Sequence, residues 1–411
     1  MAYENIEIEI PQYFICPISL QIMKDPVTTV TGITYDRESI EKWLQTTTTE
    51  EAQTCPITKQ PLPKDSDLTP NHMLRRLIQA WCIANAKHGI DRIPTPKSPV
   101  TKAHTLKLIR DLRFPQMAKN ALKKMEELAL ENEKNRKVMA EAGVIKALVT
   151  FILKCYKECK MNSGIEEALR IFHLTWSPSS EHKQLLMDHN AELMNSIFWI
   201  MGSDYIDQAI IILKWVLEFS TSELLEGLNI EFFQQMINVF KNKSSSPQAL
   251  KSALHVLIEV CPLGRNRMKI IESNAIFELI ELGLIIPQSE KKITESIFVL
   301  LGQLCAIADG RAQLLSHAGG LALVAKRILR ATPATDDRAI YILGSVARFS
   351  ATKEVVAEML KVGAVVKLCM VLQADCEVYL KKQASEILRL HSNAWNNSPC
   401  IQVYLLTRYN R

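Results

Sequence analysis

The sequence predicts a mainly α protein: a small α+β domain at the N-terminus followed by an α-helical solenoid. Three observations carry that expectation. A short turn followed by an apolar helix recurs six times, at intervals of 48, 39, 45, 44 and 44 residues. Pro94, Pro96 and Pro99 crowd one short stretch and forbid regular helix there. Before that break the chain mixes β-branched pieces such as "VTTV" with tight turns and two helical candidates, Arg37 to Leu44 and Met73 to Ala86. After it the pattern is helical almost throughout.

Composition sets the outer bounds. A chain of 411 residues with 47% apolar and 23% charged residues is ordinary for two to three soluble domains. Glu4, Glu7 and Glu9 stand where a secretory leader would be basic and apolar, and no apolar run is long enough to cross a bilayer. The expected location is therefore the cytosol or nucleus. Ten scattered cysteines in such a compartment predict reduced, packed thiols rather than a disulfide framework. The net charge of +5 is unevenly spread, because residues 97–137 hold 11 basic and 5 acidic side chains. A solvated helix face explains that run most simply, and weak association with an anionic membrane surface is the sharper alternative. Phe114 is its one aromatic, so nucleic acid is not an expected partner.

In chain order the boundaries are residues 1–88 for the first domain, with a core at 10–82, a Pro-rich linker at 89–101, the solenoid at 102–390, and a C-terminal cap or tail at 391–411. The six repeated segments are "AGVIKALVTFIL", "NAELMNSIFWIM", "NIEFFQQMINVF", "NAIFELIELGLI", "AGGLALVAKRIL" and "VGAVVKLCMVLQ". Their period lies in the range of HEAT and armadillo arrays, in which each unit buries a face only against its neighbours. The polar starts "NRKVMAEAG", "GRNRMKIIESNA" and "GRAQLLSHAGG" lead into three of them. Gly143, Gly319, Gly320 and Gly363 suit helix-to-helix corners that need positive φ. The apolar residues Trp395, Val403, Tyr404, Leu405 and Leu406 favour a cap over a loose tail.

The first domain opens "YFICPISLQIMKDPV", with Ser19 where a second thiolate would follow Cys16 in a zinc-bound ligase domain. Such a domain needs paired Cys or His ligands around two tetrahedral ions. Residues 1–90 offer Cys16, Cys55, Cys82, His72 and His88, with no C-x2-C pair, so no metal or cofactor is expected. Apolar packing and side-chain hydrogen bonds must hold the loops instead.

"IPQYFICPISLQIMKDPV", "TGITYDRESIEKWL", "TCPITKQPL" and "LTPNHMLRRLIQAWC", in that order, resemble the U-box, the zinc-free relative of the RING in ubiquitin ligases. A U-box ahead of armadillo repeats is similar to the plant U-box (PUB) E3 ligases, and "GIDRIPTPK" resembles the linker of the subgroup linked to immune and drought responses. The resemblance implies a domain that binds a ubiquitin-charged conjugating enzyme (E2) and promotes direct transfer to substrate lysines by restraining the conjugate, without a thioester on this chain. It implies E2 contacts at Ile18, Leu20, Trp43 and Pro56. Lys59 falls where related ligases place a cation bridging E2 and ubiquitin. The resemblance also implies structural positions at Cys16, Asp25, Pro26, Tyr35, Asp36 and Cys55. The armadillo groove would hold the protein substrate, and pairing of two U-boxes is a further expectation, since a metal-free domain of about 75 residues has a small core.

A rival of another class is a non-enzymatic adaptor in which the U-box only mediates assembly. The Thr-rich stretch Gln45 to Gln53 departs from the family pattern and reads as an insertion beside Trp43.

Overall fold

The computed structural model describes residues 10–46, 54–62, 68–86, 100–160, 164–203, 205–242, 245–287, 289–399 and 401–402. Nearly all of the Pro-rich linker, most of the Thr-rich stretch and Val403 to Leu406 lie outside them. The chain divides into two compact units, Met1–Pro99 and Val100–Arg411.

The first unit is a small α+β fold. Strands β1 (Pro26–Thr28), β2 (Thr34–Asp36) and β3 (Thr69–Pro70) form an antiparallel sheet in the order β2-β1-β3. Helix α1 (Arg37–Thr46) continues directly from β2. Helix α2 (His72–Ala84) starts at Asn71, whose side chain accepts the Leu74 amide and so satisfies one orphan N–H of the first turn. The core is small. Phe14, Met23, Val27, Tyr35, Ile40, Leu62, Ile78 and three cysteines, Cys16, Cys55 and Cys82, fill it.

The second unit is a ladder of helix triplets. It opens with α3 (Lys102–Asp111) and α4 (Pro115–Glu131). The first triplet is α5 (Glu133–Glu141), α6 (Val144–Lys157) and α7 (Ile165–Thr175). Next come α8 (Ser180–Asp188), α9 (Asn190–Met201) and α10 (Ile206–Glu218), then α11 (Ser222–Glu226), α12 (Ile230–Lys241) and α13 (Pro247–Val260). These are followed by α14 (Asn266–Glu272), α15 (Ala275–Ile285) and α16 (Lys291–Leu304), then α17 (Ala308–Ser316), α18 (Gly320–Arg327) and α19 (Pro333–Phe349). The last triplet is α20 (Lys353–Lys361), α21 (Ala364–Gln373) and α22 (Val378–Leu390). The repeated apolar segments of the sequence are the second helices of the six triplets. Third helices pack on one another in succession, α4 on α7, α7 on α10 and onward to α22. One continuous apolar core runs from Val100 to Trp395, as expected when each unit buries a face only against its neighbours.

The corners between first and second helices correct part of the glycine expectation. Gly143 and Gly363 do adopt left-handed backbone, at φ 83° and 80°. Gly319 and Gly320 do not. Gly320 is needed for space, because a Cβ there would sit 2.1 Å from the Leu314 carbonyl oxygen. At the corresponding corner before α15 the left-handed residue is Asn274, at φ 64°, a side chain that tolerates this region better than most.

A second regularity was not read from the sequence. Several first helices carry a buried polar side chain that satisfies carbonyls near the end of the preceding third helix. Asn135 donates to the Leu128 carbonyl and accepts from the Val100 amide, both at 2.9 Å. Asn266 donates to the Val260 and Leu225 carbonyls at 3.1 and 2.8 Å. Arg311 donates to the Cys305 and Ala306 carbonyls, and His182 Nδ1 lies 2.9 Å from that of Ser177. These are the carbonyls a helix C-terminus leaves without intrahelical partners. The polar starts "NRKV", "GRNR" and "GRAQ" are therefore parts of the core.

Beyond α22, Trp395 is 1% exposed and donates its indole N–H to the Val356 carbonyl at 3.2 Å. The chain thus covers the end of the last triplet with this residue.

Candidate functional site

Two loops of the first unit share one geometry because they share one sequence. "CPISLQ" at 16–21 and "CPITKQ" at 55–60 each close with the cysteine amide donating to the glutamine carbonyl at 2.8 Å. In each, the fifth residue's amide also donates back to the cysteine carbonyl at 2.9 Å. That fifth residue, Leu20 in one loop and Lys59 in the other, is left-handed, at φ 55° and 60°. Left-handed backbone costs a residue with a Cβ about 1–2 kcal/mol, and such strain held in place by surrounding bonds is common at contact surfaces. Among the described residues, neighbouring copies of one turn thus present an apolar side chain and a cation from equivalent positions.

The cysteines anchor both turns to β2. The Asp36 amide donates to Cys16 Sγ at 3.3 Å, and the Tyr35 hydroxyl lies 3.0 Å from Cys55 Sγ. Adjacent residues of one strand therefore hold the two loops. Cys55 Sγ also accepts from the Thr31 hydroxyl and the Thr58 amide, each at 3.4 Å. Burial pushes the Cys55 thiol up, but the bonds from Thr31, Thr58 and Tyr35 together outweigh it and bring it down to about 6. Cys16 is treated alike: burial raises it, and bonds from Ser19, Asp36 and Ile18 lower it further than burial raises it. Tyr35 moves the other way, raised by burial and then by Cys55. Both thiols are 0% exposed, which makes them anchors and not nucleophiles. Among the described residues no group of three or more His, Cys, Asp or Glu is placed to hold a metal ion.

Carboxylates fasten the first loop from the other side. Asp36 Oδ1 accepts the amides of Lys24 and Asp25 at 2.7 and 2.9 Å, and Asp25 Oδ2 accepts Arg37 Nε at 2.7 Å. Pro26 begins β1 opposite Asp36. These contacts use Asp25, Pro26 and Asp36 entirely in holding the loop against the sheet.

The structure sorts the predicted contact residues by exposure. Leu20 is 76% exposed, the most exposed of the apolar ones. Ile18 is half-buried against the core and supports the loop from beneath. Pro56 is also half-buried, while Lys59 is exposed. Trp43 on α1 is 38% exposed, and its indole N–H donates to the Thr54 carbonyl at 3.1 Å, so it braces the second loop while showing one side to solvent. Ile57 was missed. It is 53% exposed at the position matching Ile18, and aligning "CPISLQ" with "CPITKQ" would have found it.

In the second unit, the third helices place a stack of aromatic rings on their common face. Trp215 of α10 lies between Trp176, at 5.0 Å, and the exposed His173 of α7, at 5.7 Å and 11° from parallel. Lys214 and His255 occupy the same ladder, and His255 is held below its ordinary value by burial first and by Lys214 next. The basic segment folds as α3, α4 and the start of α5. Among its charges, Lys137 pairs with Glu133 and Arg136 donates to the Ala129 carbonyl.

Comparisons with known proteins agree with both units. Residues 10–87 match the U-box domain family, and residues 105–411 match the plant U-box protein ARM repeat region. Among curated proteins, E3 ubiquitin-protein ligase PUB24 of Arabidopsis thaliana is 44% identical over 99% of this chain and 98% of its own length. E3 ubiquitin-protein ligases PUB23 and PUB22 of the same plant are 40% and 38% identical, each over 98% of this chain and nearly all of their own length. A U-box joined to an armadillo array defines a ubiquitin ligase of the RING type, an enzyme with no covalent ubiquitin intermediate of its own. The chain belongs to the plant U-box family of E3 ubiquitin ligases with armadillo repeats.

Proposed function

We propose that the paired loops and Trp43 seat the ubiquitin-charged E2, and that the third-helix face of the armadillo array holds the protein to be modified. The observation that carries the first half is the pair of strained turns fixed to adjacent residues of β2, with Leu20 on one and Lys59 on the other. Leu20 is the outer apolar anchor, Ile18 and Pro56 shape the loops beneath it, and Trp43 closes the edge. In the transfer step a substrate lysine amine attacks the thioester carbonyl on the E2, and the E2 thiolate leaves. This chain supplies no nucleophile, so acceleration comes from restricting the E2-ubiquitin conjugate to reactive orientations. Lys59 supplies a cation that bonds to both E2 and ubiquitin. Lysine makes such a bridge as a point charge, without the planar fork of arginine.

The substrate half rests on the exposed His173 and the partly buried Lys214, Trp215 and His255 beside it on successive third helices, an aromatic face with one cation that suits an extended or helical segment. In a plant cell this activity would direct regulators of stress or immune signalling to degradation.

Single-turnover discharge of ubiquitin from charged E2 onto free lysine tests the first half without a substrate. Leu20→Ala should slow discharge at least tenfold at limiting E2 by weakening binding. Lys59→Ala should slow it at saturating E2 with binding unchanged. Wild-type rates from both variants would sink the assignment.

A further inference from the structure

The third-helix face leaves one feature of the array unused. Between the second helices of the last two triplets, α18 and α21, lies a pocket of about 390 Å³. Three cationic side chains line it: Lys326 from α18, Arg330 from the loop that follows, and Lys367 from α21. Among the described residues no carboxylate lies within ion-pair distance of any of the three. Like charges gathered around one space without a directly paired carboxylate raise the energy of the empty site and concentrate anions there.

Lys367 and the backbone that carries Arg330 are held in position, while the Lys326 and Arg330 side chains are exposed. Leu329, just before Arg330, is left-handed at φ 59°, and its amide donates to Asp336 Oδ1 at 2.7 Å. The Arg330 amide in turn donates to the Arg327 carbonyl at 3.1 Å. The loop therefore has one fixed form. Lys367 is half-buried and donates to the Ile328 carbonyl at 3.3 Å, which leaves two of its three N–H groups for another acceptor. Burial first, and then Arg330, depress its ammonium group, with Asp336 partly offsetting them. The neighbouring Arg327 takes no part, because it is buried and donates to the Gly283 and Ile286 carbonyls.

We propose that this pocket binds the phosphate of a phosphorylated serine or threonine in a partner protein. A guanidinium and two ammonium groups around one space match a phosphate dianion, with Arg330 able to bond two of its oxygens at once. The rest of the lining favours peptide over an inositol headgroup. Ala322, Ala325, Val362 and Val366 make an apolar wall, which packs against side chains flanking a phosphoresidue and would leave the hydroxyls of a sugar-like ring unsatisfied. The site is built from second helices and the segments at their ends, so a partner held there leaves the third-helix face open to the substrate. Its existence does not depend on how the U-box acts.

Full-length protein is probed on an array of degenerate phosphoserine and phosphothreonine peptides beside the same array without phosphate, and on phosphatidylcholine vesicles with and without phosphoinositide. The expected result is at least tenfold stronger retention on the phosphorylated array and none on either vesicle. Arg330→Gln should weaken retention about tenfold with the thermal midpoint unchanged, and adding Lys326→Gln and Lys367→Met should erase the preference for phosphate with the helical circular-dichroism signal unchanged. Equal retention on the two arrays overturns the proposal, as does a phosphate preference that survives the triple substitution. Retention on phosphoinositide vesicles without a phosphopeptide preference overturns it in favour of a lipid.

Discussion

In the U-box, Cys55 collects bonds from Tyr35, Thr31 and Thr58 at a single point, and the strained Lys59 hangs on that arrangement. In the armadillo array, Asn135, His182, Asn266 and Arg311 repeat one task in the first, second, fourth and fifth triplets, each at its own boundary. The first unit has a small core and concentrates its polar bonds where the contact surface is. The second has one long core and distributes them. A local fault should therefore silence the U-box without unfolding it, whereas a fault in the array should weaken the structure around it and leave E2 activation intact.

The largest expected effect is in the middle of the array. Phe298 is 0% exposed, and Phe298→Ala should destabilise the array by about 3–5 kcal/mol through lost burial and a residual cavity. Urea unfolding would then split into more than one transition, while ubiquitin discharge onto free lysine stays at the wild-type rate. A single transition with lost discharge would show that the units are not independent.

Asn266→Ala comes next. It leaves the Leu225 and Val260 carbonyls buried without their partner, at about 2–4 kcal/mol for the two bonds. Hydrogen exchange should quicken in α11 to α14 and much less in α20 to α22. Uniform quickening would mean that the array unfolds as one body.

The third test separates the units by pH. An unfolded thiol titrates near ~8.5, whereas Cys55 in the fold titrates at about 6. Between those values the unfolded chain binds the extra proton, so U-box stability rises with pH across that window. The contribution is fully present above it and is lost as pH falls through 6. The slope from one thiol is at most about 1.4 kcal/mol per pH unit. Exchange protection of U-box amides should follow this rise, to which Cys16 adds in the same direction. Cys261 and Cys305 of the array, both raised by burial, oppose it at the upper end of the window, and Cys55→Ser should reduce the U-box slope.

The smallest effect reverses the usual direction. Lys59→Gly removes the left-handed penalty and should stabilise the U-box by about 1 kcal/mol, seen as a higher melting midpoint, while slowing ubiquitin discharge. A stabilised variant with full activity would show that the strain at Lys59 serves no contact.

Much of this was legible before any coordinates. The 44-residue spacing located all six second helices because burial against neighbouring units imposes a period on the chain. "CPISLQ" and "CPITKQ" marked both loops because a tight turn with fixed hydrogen bonds admits few sequences. The choice of which side chain stands outermost was not legible. Ile18 reads as the exposed anchor, yet the turn rotates it toward the core and lifts Leu20, since the left-handed backbone at Leu20 follows from bonds that close only in the folded loop. Ile57 was recoverable from the match of "CPITKQ" to "CPISLQ", but not that it is exposed where Ile18 is packed.

By itself the sequence determined the class of fold, the order of its domains and the absence of paired zinc ligands, because periodicity, proline breaks and ligand spacing are properties of a linear chain. Tertiary structure alone decided that Tyr35 and Asp36 hold the two loops side by side. It also turned the polar starts of the repeats into buried caps and brought Lys326, Arg330 and Lys367 around one pocket. Each of these depends on distances between side chains of different elements, and only packing sets those distances.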